Sequence, residues 1–293
     1  MFVLFAATFQ GLNACDICGC SLNNGFSSIL PQYQKSFLGL RGSVMNFEAT
    51  HADQGGKKVF QNSTSVELFG RCYLHRRVQM VVSLPYNIKL QKESGAITST
   101  RALGDAMVNF NYLLIDKRKD SMRWKHLLLL GGGIKLPTGK NNVQNTGDLV
   151  NQAMQPGSGS IDYILTTSYI IRHREFGLIN DFQYRFNTEN TNKYAFGNKL
   201  TAGSRCFYWK RLGRNSQVMP SGGVLLENMQ SDYLNGYKQA YTGGQMISAS
   251  AGFEYYYKDV FISSQYLYPL KQSLGGGLLK AMPRLQITAC YMF

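Results

Sequence analysis

From Ser36 onward, apolar and polar side chains alternate with a period of two, segment after segment. The clearest run is 78–90. Val78, Met80, Val82, Leu84, Tyr86, Ile88 and Leu90 share one face, while Gln79, Ser83, Asn87 and Lys89 fall on the other. Successive side chains of a strand point to opposite faces, whereas a helix repeats every 3.6 residues or so, so the run is a strand. One face suited to lipid and one to water is the pattern of a membrane-spanning strand. The last segment repeats it: Leu285, Ile287, Ala289, Tyr291 and Phe293 alternate with Arg284, Gln286, Thr288 and Cys290.

Twelve such segments are predicted, at 36–48, 61–74, 77–91, 103–116, 125–137, 160–172, 176–188, 196–209, 216–228, 245–257, 260–270 and 282–293. Alternation is faint in 196–209 and 216–228. Many segments reach ten residues, which suits a tilted transmembrane strand better than the roughly five or six of a soluble sheet. Short connections near 74–77, 116–124, 173–176, 210–215 and 258–259 alternate with longer polar ones at 49–60, 92–102, 138–159, 189–195, 229–244 and 271–281. The expected fold is an all-β, 12-stranded antiparallel up-and-down transmembrane β-barrel of the outer-membrane type, with short turns and both termini periplasmic. A signal-peptide remnant (1–14) and a Cys-rich segment (15–35) precede a single barrel domain (36–293).

Composition supports this class and excludes others. Charged residues are 16% of the chain, against about 25% in soluble domains. Nowhere do eighteen apolar residues run together, so a polytopic helical membrane protein is excluded. The net charge is +14, and the short turns and their flanks hold thirteen Lys and Arg against four acidic residues, which places nine of the fourteen at one rim. Arg76, Arg77, Lys117, Arg118, Lys119 and Arg123 are among them. Such a rim suits the anionic head groups of outer-membrane lipid in the inner leaflet. Nucleic acid would call for interleaved aromatics, and these turns hold little beyond Trp124 and Phe176.

Phe2 to Ala14 is a short apolar run ending in a small residue, like the core of a secretory signal without its basic start. Leu12-Asn13-Ala14-Cys15 is similar to a lipoprotein cleavage site, so Cys15 is a candidate for lipidation, with ordinary cleavage after Ala14 the alternative. Cys15, Cys18 and Cys20 form a CxxCxC cluster able to hold copper or zinc; in an exported protein the same cluster forms a structural disulfide, Cys15–Cys18 or Cys15–Cys20. Cys72, Cys206 and Cys290 stand singly in strand patterns, as small hydrophobes. Residues 26–34 are amphipathic, suited to a short plug or a periplasmic turn.

By parity the lumen-lining residues include Arg41, Glu67, Arg71, Lys89, Asp105, Lys135, Asp162, Asp181, Arg185, Glu254 and Arg284, with Asn109, Asn111 and Gln183. Mixed charges line a narrow polar path for a small solute, or else close on one another and fill the barrel. No enzyme is expected: His51, His75, His126 and His173 fall in loops, turns or a strand start, without a motif partner. The functions in play are a passive channel, the same channel linked to a metal at the cysteines, and a non-transporting envelope scaffold.

Residues 131–139 read Gly-Gly-Gly-Ile-Lys-Leu-Pro-Thr-Gly, and 155–162 read Gln-Pro-Gly-Ser-Gly-Ser-Ile-Asp. This pair resembles the phenol-degradation meta-pathway outer-membrane transporter family, most closely over about 125–172. The resemblance implies an outer-membrane channel for small, often aromatic or hydrophobic, solutes. The CDICGC leader with ILPQYQKSFLGLR resembles a separate, Cys-rich branch of exported barrels. A last strand ending on Phe293 resembles the signal read by the barrel-assembly machinery. In physical terms, Pro137 and Gly139 end a strand, Gly157 and Gly159 turn the loop sharply, Gly131 and Gly133 leave space inside the wall, and Lys135 is placed to meet Asp162 near the mouth, as a loop-anchoring ion pair or, in the alternative, a solute contact.

Overall fold

The computed structural model describes residues 35–50, 58–93, 96–117, 123–145, 148–149 and 152–293. The leader 1–14, the cysteines Cys15, Cys18 and Cys20, the segment 26–34, His51 and residues 118–120 lie outside these. The long strands are β1 (Phe37–Thr50), β2 (Lys58–His75), β3 (Val78–Glu93), β4 (Ala96–Leu103), β5 (Met107–Lys117), β6 (Trp124–Lys135) and β7 (Asp162–His173). They continue with β8 (Phe176–Phe186), β9 (Lys199–Tyr208), β10 (Ser216–Met229), β11 (Gly244–Tyr257), β12 (Val260–Leu274) and β13 (Leu279–Met292). All neighbours are antiparallel. β4 and β5 are two pieces of one stave, both paired with β3, so the wall has twelve positions. β13 pairs with β1 from Phe37↔Met292 to Ala49↔Leu279, and the sheet closes on itself.

Alternation sets the faces. Leu38 and Leu40 on β1, Val66 and Leu68 on β2, and Leu285, Ile287 and Tyr291 on β13 are exposed, while Arg284, Gln286, Thr288 and Cys290 between them are buried. A belt of exposed aliphatic and aromatic side chains this long is untenable in water and natural in hydrocarbon.

Proline cannot donate to a ladder, and in this wall it stands where pairing changes. Pro85 lies where β3 passes from β5 to β4, its carbonyl accepting the Gly104 N–H at 2.8 Å. Pro269 adjoins the β11–β12 irregularity, and Pro283 lies opposite the β1 irregularity between Met45 and Phe47. Two of the two-residue turns use left-handed residues, Arg174 (φ 54°) and Lys258 (φ 50°).

Several expected loops are partly strand. Ala96–Leu103 pairs with β3, β12 runs on to Leu274, and β13 starts at Leu279 after a Gly275–Gly277 turn. Above the apolar belt both faces of a strand are wet, so the alternation that marks it in the sequence fades while the ladder persists. The remaining loops carry short pairs: Gln144–Asn145 with Asp148–Leu149, and Tyr194–Ala195 with Tyr233–Leu234.

Candidate functional site in the barrel interior

Inward-facing positions build four layers. At the short-turn end lies an apolar floor, with Phe37, Phe69, Ile179, Phe207, Met219 and Phe261 in one buried cluster drawn from strands all round the ring. Two arginines lie over its rings: Arg71 is 4.9 Å from Phe37 and Arg41 is 4.2 Å from Phe69. A guanidinium over an aromatic face is attracted by the ring quadrupole, which softens the burial of its charge.

Above the floor is a polar waist. Arg41 pairs with Glu67 at 3.1 Å, Arg205 approaches Asp181 at 3.8 Å, Ser168 donates to Asp181 at 2.7 Å, and the Tyr256 hydroxyl donates to Glu254 at 2.6 Å. A small cavity of about 20 Å³, room for about one water, opens here, lined among others by Arg41, Arg205, Glu254, Gln286 and Thr288. Next, Glu227 takes Lys199 at 2.7 Å and Arg284 at 3.2 Å, while Arg185 reaches the Met107 sulfur at 3.7 Å.

The mouth is a buried knot. Lys135 bridges Asp162, its register partner across β6 and β7, and Asp105 at 3.3 Å. Asp105 also accepts the Gly139 N–H at 3.0 Å, the Ser158 N–H at 2.8 Å and the Ser158 hydroxyl at 2.7 Å. Asp162 accepts the Ser160 hydroxyl at 2.8 Å and the Thr188 N–H at 3.0 Å. These bonds draw the 152–160 loop inward: Ala153, Met154, Gln155, Ser158 and Ser160 are all buried. Lys89 holds the carbonyls of Ala153 (2.7 Å) and Gln155 (2.8 Å), and Thr100 donates to Met154 O at 2.6 Å. The glycines of the motif are packing requirements, since a Cβ on Gly139 would lie 2.7 Å from the Gly104 carbonyl carbon, and one on Gly157 2.7 Å from that of Gly139.

One sequence expectation is corrected. Gly131 and Gly133 leave no free space, because a Cβ on either would lie 1.9 Å from the side-chain oxygen of Asn111 or Asn109, which fill it.

The predicted lumen residues thus divide by height. Arg71 stands at the floor; Arg41, Glu67, Asp181 and Glu254 at the waist; Arg185 and Arg284 above it; Lys89, Asp105, Lys135 and Asp162 at the mouth. The sequence reading missed Lys199, Arg205 and Glu227. All three are buried on β9 and β10, where outward Ala202, Ser204 and Cys206 blur the parity. Among the described residues no cluster of His, Cys, Asp and Glu has the makings of a metal site. His126 bonds the Tyr169 hydroxyl at 2.8 Å, and His75 and His173 border the short turns.

No protein-family model matches the chain, and no curated protein matches its sequence. Among solved structures, the crystal structure of an outer membrane channel from Pseudomonas putida F1 superposes with a TM-score of 0.62 at 14% identity, over 88% of this chain and 96% of that one. The β domain of the autotransporter BrkA from Bordetella superposes with a TM-score of 0.50 at 9% identity, over 88% of this chain and all of that one (100%). Likeness at these identities is likeness of fold. This is a closed twelve-stranded barrel of the outer-membrane type.

Proposed function

We propose that the protein is an outer-membrane channel for the passive passage of a small solute through a narrow polar lumen. The observation that carries the reading is the waist. A barrel serving only as an anchor has no need of Arg41, Arg205 and Glu254 around a small cavity, with Glu67 and Asp181 paired to the two arginines, since apolar packing would be at least as stable. Charged and hydroxyl groups of this kind select solutes by size and field. Long loops face outward, both termini face the periplasm, and the basic short-turn rim rests on anionic phospholipid. The last strand, ending on Phe293, is the part the barrel-assembly machinery engages. Small aromatic solutes are one candidate class, by the resemblance of the 131–162 motif.

A second reading, a non-transporting envelope scaffold, is favoured by the apolar floor and the inward-folded 152–160 loop, which together narrow both ends. Cys15, Cys18 and Cys20 add copper or zinc binding, or a lipid anchor at Cys15, to either reading. Single-channel recording of the refolded protein in a planar bilayer, with and without residues 15–34, separates them. Discrete conductance steps in the full chain establish the channel. Steps only after deletion assign the Cys-rich segment as a plug, and silence from both folded forms leaves the scaffold.

A further inference from the structure

The outer wall carries a one-sided basic stripe at its long-loop end. Lys271 on β12, Lys280 on β13, Lys58 on β2, Lys92 on β3 and Arg101 on β4 are all exposed, and their register partners place them on the outward face. Lys271 lies opposite exposed Ile247, Lys92 opposite exposed Phe60 and Ile97, and Lys280 opposite Glu48. Glu48 on β1 is the acidic member, and it bonds Lys58 at 2.6 Å. Lys92, Glu48 and Lys280 share one rung and Arg101 lies on the Thr64 rung, four residues lower, so five adjacent staves (β12, β13, β1, β2 and β3) present four cations and one anion near one level, over four inter-strand steps of roughly 4.8 Å, or about 19 Å of wall. On β6, β7 and β8 the outward side chains at the loop end are apolar: Ile134, Tyr163 and Phe186 are exposed there.

Cations on a lipid-facing wall are tolerated at the interface and not at the mid-plane, so the stripe stands at head-group level. Four like charges so close together repel one another unless anions lie between them. Just below the stripe, polar groups interrupt the apolar belt. The Asn62 amide donates to Asn46 at 2.7 Å, and the Thr64 hydroxyl donates to Asn62 at 3.1 Å, on exposed or half-exposed positions of β1 and β2. Amides beside cations suit sugar hydroxyls beside phosphates; a phospholipid offers one phosphate and no such sugar.

We infer that this face binds a phosphorylated glycolipid of the outer leaflet, its phosphates on Lys58, Lys92 and Lys280 and its sugar hydroxyls on Asn46 and Asn62. The inference rests on the orientation with long loops outermost, and does not require that the barrel conduct.

The test is native mass spectrometry of the full-length refolded protein in micelles, titrated with lipid A, its monophosphorylated form and phosphatidylglycerol. The expected order of affinity is lipid A, then the monophosphorylated form, then phosphatidylglycerol. Each lysine near an anionic surface is worth about fivefold, so the triple variant Lys58→Gln/Lys92→Gln/Lys280→Gln is expected to bind lipid A about a hundredfold more weakly. The corresponding Lys→Arg triple retains binding, and Lys210→Gln/Arg211→Gln at the opposite rim leaves it unchanged. Heat-modifiable migration selects the folded fraction of each. Equal binding of lipid A by wild type and the Gln triple, or phosphatidylglycerol bound as tightly as lipid A, overturns the inference. No current is read, so a silent channel with intact lipid A binding sinks the proposed function alone.

Discussion

Replacing Lys135 by methionine keeps most of the side-chain volume and removes one charge from the mouth. In the wild type its ammonium lies between Asp105 and Asp162, both almost wholly buried. Without it two carboxylates share an interior with no counter-charge from β6, and breaking a buried pair in this way costs about 3–5 kcal/mol. The wall is held elsewhere by continuous ladders, so the loss falls on the loop that the two carboxylates hold through Gly139, Ser158, Ser160 and Thr188. Lys140 lies in this loop, exposed, with its carbonyl accepting the Gly157 N–H at 2.8 Å. Trypsin cleaves after Lys140 only when that segment opens, and the rate follows the open population. The expected result is cleavage faster by about two to three orders of magnitude, with the barrel itself intact by heat-modifiable migration. Adding Asp162→Asn recovers part of the protection. A Lys135→Met rate within a factor of about three of wild type, under 1 kcal/mol, refutes the assignment of the knot as the loop's anchor.

Gly157→Val places side-chain atoms against Gly139 and is expected to expose the Lys140 cleavage site in the same assay, at a cost of about 1–3 kcal/mol. Phe207→Ala opens a cavity in the floor, lowering stability to urea in lipid vesicles by about 3–5 kcal/mol and, if the floor is the narrowest point, raising conductance. Ile287→Arg puts a charge on the lipid face near mid-wall and is expected to lower refolding stability by about 2–4 kcal/mol, whereas the inward neighbour substitution Gln286→Asn leaves it within about 0.5 kcal/mol.

The wall was legible because hydrocarbon imposes one rule on every strand that crosses it. Ile287 must face out and Gln286 in, and that period survives without knowledge of any partner strand. Legibility ended where the rule ended. Ala96–Leu103, above the belt, has Thr98 and Thr100 inward and Arg101 outward, so polarity no longer separates its faces and it passes for loop. In β9 the outward Ser204 is no more apolar than the inward Gly203, which hid Arg205 and Lys199. The 131–162 motif was visible as glycines and a Lys–Asp pair. Its third member, Asp105, was placed by parity only as a lumen residue, because its convergence on Ser158 and Gly139 depends on how the connection between β6 and β7 is arranged at the mouth.

The seam between β1 and β13 has a consequence for biogenesis. Phe37 pairs with Met292, and the Phe293 N–H reaches the Ser36 carbonyl at 2.9 Å, so the first and last residues of the wall are each other's neighbours. Until the final stave pairs, a partly assembled sheet has two unpaired margins, prone to pairing with other chains. Closure is therefore a single late event spanning the greatest sequence separation the chain allows. Loss of the last fourteen-residue strand leaves both margins unsealed rather than a slightly smaller ring.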